Sequence, residues 1–226
     1  MTMPRYTREV GRKFYADGTP HSFPGNTIIC MLSPTQPLFQ VASAFQAALG
    51  KTSVGAKFAF LPPASFHMTV MDLLCDQARD PAHWAHALPR ESTMAEADAF
   101  VYARVQPLVP PAELVMRVVG IFYGNNLMLT LEPADEATRT ALHTYRASVA
   151  AATGIRFPDH DTYGFHLSLA YRLIEVTPAE AQVLAKVCHN WGPALQAAGA
   201  ALVLPPPQLC RFDDMSNFVP LETAGY

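Results

Sequence analysis

The sequence predicts a mixed α/β fold made of two similar halves, and three observations lead to it. Apolar runs of strand length alternate with helical stripes in the order strand, helix, strands, and then strands, helix, strand, helix, strands. Two near-copies of one segment stand about a hundred residues apart, Ser65-Phe66-His67-Met68-Thr69-Val70-Met71 and Gly164-Phe165-His166-Leu167-Ser168-Leu169-Ala170. Each copy follows a similar punctuation, Phe60-Leu61-Pro62 and Phe157-Pro158. Two halves related by a pseudo-twofold axis would set the histidine strands side by side across a groove, with helices outside.

The elements follow in order. Residues 1–25 are polar and carry the turn formers Asp17-Gly18-Thr19-Pro20 and Phe23-Pro24-Gly25-Asn26, so they read as an N-terminal arm. Residues 27–32 form a continuous apolar run suited to a buried central strand. Leu38, Val41, Ala42, Phe45 and Leu49 fall at helical spacing, with Gly50 placed to end that helix. Residues 57–60 are a short strand, broken by Leu61-Pro62-Pro63-Ala64 before the first histidine strand. Residues 76–112 read as a long connection with one helix from about residue 94 to 104. Residues 114–122 and 127–131 form a hairpin around Tyr123-Gly124-Asn125-Asn126, where Gly and Asn would accept positive φ.

Pro133 suits the first position of the next helix, whose stripe is Thr138, Leu142, Tyr145, Val149 and Ala152 and whose stop is Gly154. Thr177-Pro178-Ala179-Glu180 is a capping box for a further helix that Gly192-Pro193 is expected to break. Residues 201–204, 208–212 and 218–221 close the chain as strands.

At 226 residues with half of them hydrophobic, residues 1–226 can bury one substantial core and are read as a single bilobal domain. The formal net charge of −3 offers no basic field for a long duplex nucleic acid, so a small substrate is favoured. Cys30, Cys75, Cys188 and Cys210 are widely spaced without zinc-ligand spacing, which reads as reduced thiols in a cytoplasmic protein. Arg5, Arg8, Glu9, Arg12 and Lys13 precede any apolar run, so no signal peptide is read. No apolar stretch reaches the roughly 18 to 20 residues that span a bilayer. No membrane partner is expected, and oligomeric state is left open.

In an extended strand successive side chains alternate faces, so His67 and Thr69 share one side while Phe66, Met68 and Val70 bury the other. His166 and Ser168 repeat this against Phe165, Leu167 and Leu169. Two imidazoles, each able to hold or release a proton near neutrality, are suited to general acid and base work on opposite sides of one phosphorus. Thr69 and Ser168 would donate hydrogen bonds to the non-bridging oxygens where charge grows. Such chemistry calls for no metal and no cofactor. Asp159-His160-Asp161 and His83-Trp84-Ala85-His86 invite a metal reading, but the first lies in a turn after Pro158 and the second has no third ligand nearby in sequence.

The pairs His67-Met68-Thr69-Val70 and His166-Leu167-Ser168-Leu169 resemble the H-x-[ST]-apolar motifs of the two-histidine (2H) phosphoesterase superfamily, which includes RNA 2′,3′-cyclic phosphodiesterases and the bacterial 2′-5′ RNA ligases. Gly25-Asn26-Thr27, the segment from Pro62 to Val70 and the segment from Pro158 to His166 are similar to a bacterial and fungal branch of that superfamily. The resemblance implies two antiparallel sheets lining a central groove, His67 and His166 as the acid/base pair, and Thr69 and Ser168 as phosphate ligands. The implied activity is hydrolysis of a small cyclic phosphodiester, a 2′,3′-cyclic nucleotide or an RNA-end cyclic phosphate. The alternatives are cleavage of 2′,5′-linked or nucleotide-sugar cyclic phosphates, and a non-catalytic module that binds a phosphate or nucleotide. Further substrate-binding candidates are Tyr163, Arg172 and Asn26. Arg172 lies on the His166 face by alternation, with an ion pair as its other reading, and Asn26 either lines the groove or caps a turn.

Overall fold

A computed structural model describes residues 4–222. The chain runs β1 (Gly25–Met31), α1 (Pro37–Gly50), β2 (Phe58–Phe60), β3 (His67–Cys75), α2 (Met94–Val105), β4 (Leu114–Phe122), β5 (Asn126–Pro133), α3 (Glu136–Thr153), β6 (His166–Arg172), α4 (Pro178–Ala198), β7 (Leu202–Leu204), β8 (Gln208–Asp214) and β9 (Asn217–Pro220). The strands form one curled, antiparallel half-barrel in the order β7-β4-β5-β6-β3-β1-β8-β9, with β2 added to β6. The two expected sheets are therefore continuous. They join at β3 and β6 through one residue pair, Met68 with Leu167.

The pseudo-twofold relation holds residue by residue with an offset of 99 positions, the separation of His67 and His166. Met31 faces His67 and Thr130 faces His166; Ile29 faces Thr69 and Met128 faces Ser168. Both pairings then slip. Between Ile28 and Ile29 the partner jumps from Met71 to Thr69, and between Leu127 and Met128 it jumps from Ala170 to Ser168. Val70 and Leu169 are the extra residues of two β-bulges at equivalent places.

The core lies behind the histidine strands. Phe66, Met68 and Val70, with Phe165, Leu167 and Leu169, are all buried, and each large side chain contributes about 1.5–3 kcal/mol by leaving water. Leu38, Phe45 and Leu49 of α1 and Leu142, Tyr145 and Val149 of α3 bury their stripes against the same core. The arm packs too. Phe14, Phe23 and Leu61 form a second cluster with Tyr171, Leu173 and Met215.

Three local expectations are corrected. Pro133 ends β5 opposite Met116, and α3 begins at Glu136, because the Asp135 carboxylate accepts from the Thr138 backbone N–H at 2.7 Å and so caps the helix instead. The turn after β4 contains no positive φ. Gly124 is needed there for space, since a Cβ would stand 2.4 Å from the Phe122 ring. Pro193 does not break α4, which runs on to Ala198. Its ring removes one N–H donor near the helix end, and the burial of Leu195 beyond it keeps the last turn helical.

Candidate active site

Each histidine begins its strand just after a short 3₁₀ turn, and each ring is tethered in the same way. His67 Nδ1 donates to Ser65 O at 2.7 Å and His166 Nδ1 donates to Gly164 O at 2.9 Å. A proton committed to Nδ1 leaves Nε2 as the basic nitrogen of the neutral ring. Backbone bonds fix the approach to both strands alike, Leu32 N to Phe66 O at 2.8 Å and Leu131 N to Phe165 O at 2.9 Å. His67, Thr69, His166 and Ser168 all line one cavity of about 630 Å³.

The bulges decide what else lines it. An extra residue swaps the faces of a strand beyond it, so the groove side continues through Asp72 in β3 and Tyr171 in β6. Opposite them stand Thr27 and Asn126, again 99 positions apart, and both reach the cavity. Arg172 is thereby turned away. It lies outside the cavity lining and pairs with Glu175 at 3.0 Å, so the expectation that it shares the face of His166 is corrected by the bulge at Leu169. Asn26 both lines the cavity and serves structure: its Nδ2 donates to Asp98 Oδ1 at 2.9 Å and its Oδ1 accepts from Leu74 N at 2.9 Å. Tyr163 reaches the groove, with its hydroxyl 3.4 Å from Asp72 Oδ2 and its ring 6.3 Å from that of His166.

The walls differ between the halves. Over His67 sits Phe218 of β9, ring centres 4.2 Å apart, backed by Phe212. The arm brings Lys13, whose Nζ lies 3.2 Å from the Tyr171 hydroxyl and over the Phe23 and Tyr171 rings. Asn126 keeps Oδ1 buried without a partner in the same wall.

Electrostatics follow from these walls. Burial pushes the His67 imidazole down to about 4, against the raising effect of its bond to Ser65 O and with help from His166. His67 is therefore neutral at pH 7. Crowding by the groove walls raises the Asp72 carboxyl, opposed by Lys13 and His166. Burial, and then Asp72 itself, push the Tyr163 phenol well above its usual range, so it remains a hydrogen-bond donor.

The metal-like motifs are dispersed. His83 Nδ1 pairs with Asp80 at 2.8 Å, and the His160 backbone oxygen accepts from Arg146. Among the described residues no three His, Cys, Asp or Glu side chains gather as a ligand set. Cys30, Cys75, Cys188 and Cys210 are free, and no described helix is long and apolar enough to cross a membrane.

A 2H-phosphodiesterase family model, described as a domain of unknown function (DUF1868), matches residues 13–127, from the arm through β1, β3 and β4. The chain belongs to the 2H phosphoesterase superfamily. The crystal structure of the conserved protein of unknown function ATU0111 from Agrobacterium tumefaciens is similar at 26% identity, covering 98% of this chain and 93% of that one, with a TM-score of 0.88. Looser likenesses are Usb1 of Kluyveromyces marxianus, 13% identical over 88% of this chain and 98% of that one, TM-score 0.47, and TT0787 of Thermus thermophilus, 16% identical over 87% and 94%, TM-score 0.46. No curated protein matches.

This 2H phosphoesterase presents the four residues singled out by the repeat, His67, Thr69, His166 and Ser168, in one cavity with Tyr163 and Asn26. Asp72, Tyr171, Thr27, Asn126, Lys13 and Phe218 were missed. For the first four the signal was present as equal offsets from the histidines but hidden by the bulges. Lys13 and Phe218 come from the two ends of the chain and have no local pattern.

Proposed function

We propose that this protein is a metal-independent phosphodiesterase that opens a small cyclic phosphodiester, a 2′,3′-cyclic nucleotide or an RNA-end cyclic phosphate. The observation that carries this reading is the matched tether of the two imidazoles. Both rings commit Nδ1 to the carbonyl two residues before them and share a groove with two hydroxyls. His67, neutral at pH 7, takes the role of base and removes a proton from the attacking water. The new P–O bond forms as the bond to one ribose oxygen breaks, and His166 on the other side gives that oxygen its proton. Thr69 and Ser168 donate to the non-bridging oxygens. The product is a phosphomonoester with one free ribose hydroxyl, and water supplies both proton and oxygen.

The walls favour a nucleotide. Lys13 adds positive charge to the groove, and Phe212 and Phe218 offer flat apolar faces on which a base can stack. The test is a screen of 2′,3′-cyclic nucleotides, RNA-end cyclic phosphates, nucleotide-sugar cyclic phosphates and 2′,5′-linked oligonucleotides in excess EDTA, with product regiochemistry read out. Turnover of a cyclic phosphodiester is expected. Saturable binding without product would instead make the groove a binding module, and activity lost to EDTA and restored by a divalent ion would overturn the metal-independent mechanism.

A further inference from the structure

At each bulge the backbone carbonyl of the extra residue is met by a buried side chain from the helix of the other half, and the Leu169 carbonyl also accepts from Leu61 N at 2.9 Å. Arg146 of α3, 3% exposed, donates through Nη1 to Val70 O and through Nη2 to His160 O at 2.7 Å. Gln46 of α1, 7% exposed, donates through Nε2 to Leu169 O at 2.6 Å and to Leu61 O at 3.0 Å. The acceptors correspond. Val70 and Leu169 lie three residues past their histidines, and Leu61 and His160 lie six before. Each clamp thus joins the approach to one histidine to the bulge beyond the other.

The sheet itself does little to hold the two histidine strands at a set distance. Neighbouring strands elsewhere are locked by rows of paired residues, whereas β3 and β6 share the single pair Met68 and Leu167. The bulges set how far each strand turns and where the hydroxyl beside each histidine points. We propose that Gln46 and Arg146 are positioning residues for the acid/base pair: by locking the two bulges across the pseudo-twofold axis they set the spacing of His67 and His166 and the aim of Thr69 and Ser168. Arg146 also carries the Tyr163 ring 4.6 Å from its guanidinium, which extends its hold to the side of His166. The kinetic part of this proposal rests on the phosphodiesterase reading; the structural part does not.

The test compares Gln46→Met and Arg146→Lys with the unaltered protein. Methionine keeps the length of glutamine without its donors, and lysine keeps the charge of arginine without the fork that spans two carbonyls. Two readouts are taken: kcat and KM on the cyclic phosphodiester that the unaltered protein turns over, and the imidazole NMR signals of both histidines. The expected result is a fall in kcat of about 10- to 100-fold per folded molecule with KM changed less than about threefold, since small misplacements of reacting groups act on the chemical step. Signals of His67 and His166 are both expected to move in either variant. Unchanged kcat per folded molecule, a loss confined to KM, or histidine signals left in place would overturn the proposal. If Arg146→Lys does not fold, Gln46→Met decides by the same criteria. If the unaltered protein hydrolyses no phosphodiester, the phosphodiesterase reading fails while the NMR comparison still decides the clamp.

Discussion

The strands that carry His67 and His166 share their backbone setting but not their surroundings. Tether, ladder partners and bulge recur at an offset of 99 residues, and each bulge meets a buried clamp, Gln46 or Arg146, from the other half. The walls do not recur. Phe218 covers His67, while Tyr163 and its partner Asp72 stand beside His166. Duplication of a scaffold supplies two equivalent imidazoles, which by symmetry would have equal basicity. Phe218, which covers His67, belongs to the hairpin of β8 and β9, outside the repeat.

The strongest challenge to that comparison is removal of each imidazole. His67→Ala and His166→Ala are each expected to lower kcat by roughly 10²–10⁴ on any cyclic phosphodiester turned over, because base and acid act in the same step. Activity retained in either would break the paired mechanism. Next come the hydroxyls. Thr69→Val and Ser168→Ala should each cost about 10²-fold in kcat, the scale of losing one donor to a developing oxyanion. Equal losses would mean the phosphate sits on the pseudo-twofold axis, and unequal losses would place it nearer one half.

The pH profile sharpens the comparison further. Because the His67 imidazole lies at about 4 in the folded protein, the acid limb of kcat/KM should fall near pH 4 and not near pH 6.5. A bound phosphodiester anion favours the imidazolium, so the acid limb of kcat should lie at higher pH. Stability follows the same shift with its own sign. An unfolded histidine takes up a proton first as pH drops through about 6.5, so folded stability is lost from there down to about 4 and is regained as pH rises. His67→Asn should flatten that dependence in denaturant titrations across this range. Phe218→Ala uncovers the ring and should move the acid limb of kcat/KM upward, toward 6.5, with a smaller loss of rate.

The smallest expected effects come from the matched helices α1 and α3, which end differently. Gly154 closes α3 at φ 71°, whereas α1 passes through Gly50 to Lys51 in right-handed geometry. Gly154→Ala should cost about 1 kcal/mol, and Gly50→Ala, where a Cβ meets Phe60 at an ordinary 3.6 Å, should be neutral or stabilising by up to about 1 kcal/mol. The denaturation midpoint should therefore fall for Gly154→Ala and stay level or rise for Gly50→Ala.

Much of this was legible in the chain before its fold. Alternation within Phe-His-apolar-hydroxyl-apolar is a local property of strands, so it identified the core residues Phe66, Val70, Phe165 and Leu169 and the groove residues of both motifs. Capping at Thr177 and the stop at Gly154 are equally local. Alternation failed at the bulges, where one extra residue exchanges Arg172 for Tyr171 and brings Asp72 into the groove. A bulge is decided by which partner strand takes which hydrogen bonds, and no window of one strand records that.

The sequence by itself determined the two halves and the four side chains at their meeting point, because both follow from short-range periodicity written twice. Only the tertiary structure decided that the halves share one sheet through Met68 and Leu167, that Gln46 and Arg146 cross to the opposite bulges, and that Phe218 lies over His67 while Tyr163 flanks His166. Those contacts join residues up to about 150 positions apart, and their energies depend on burial and on partners that meet only once the sheet has curled.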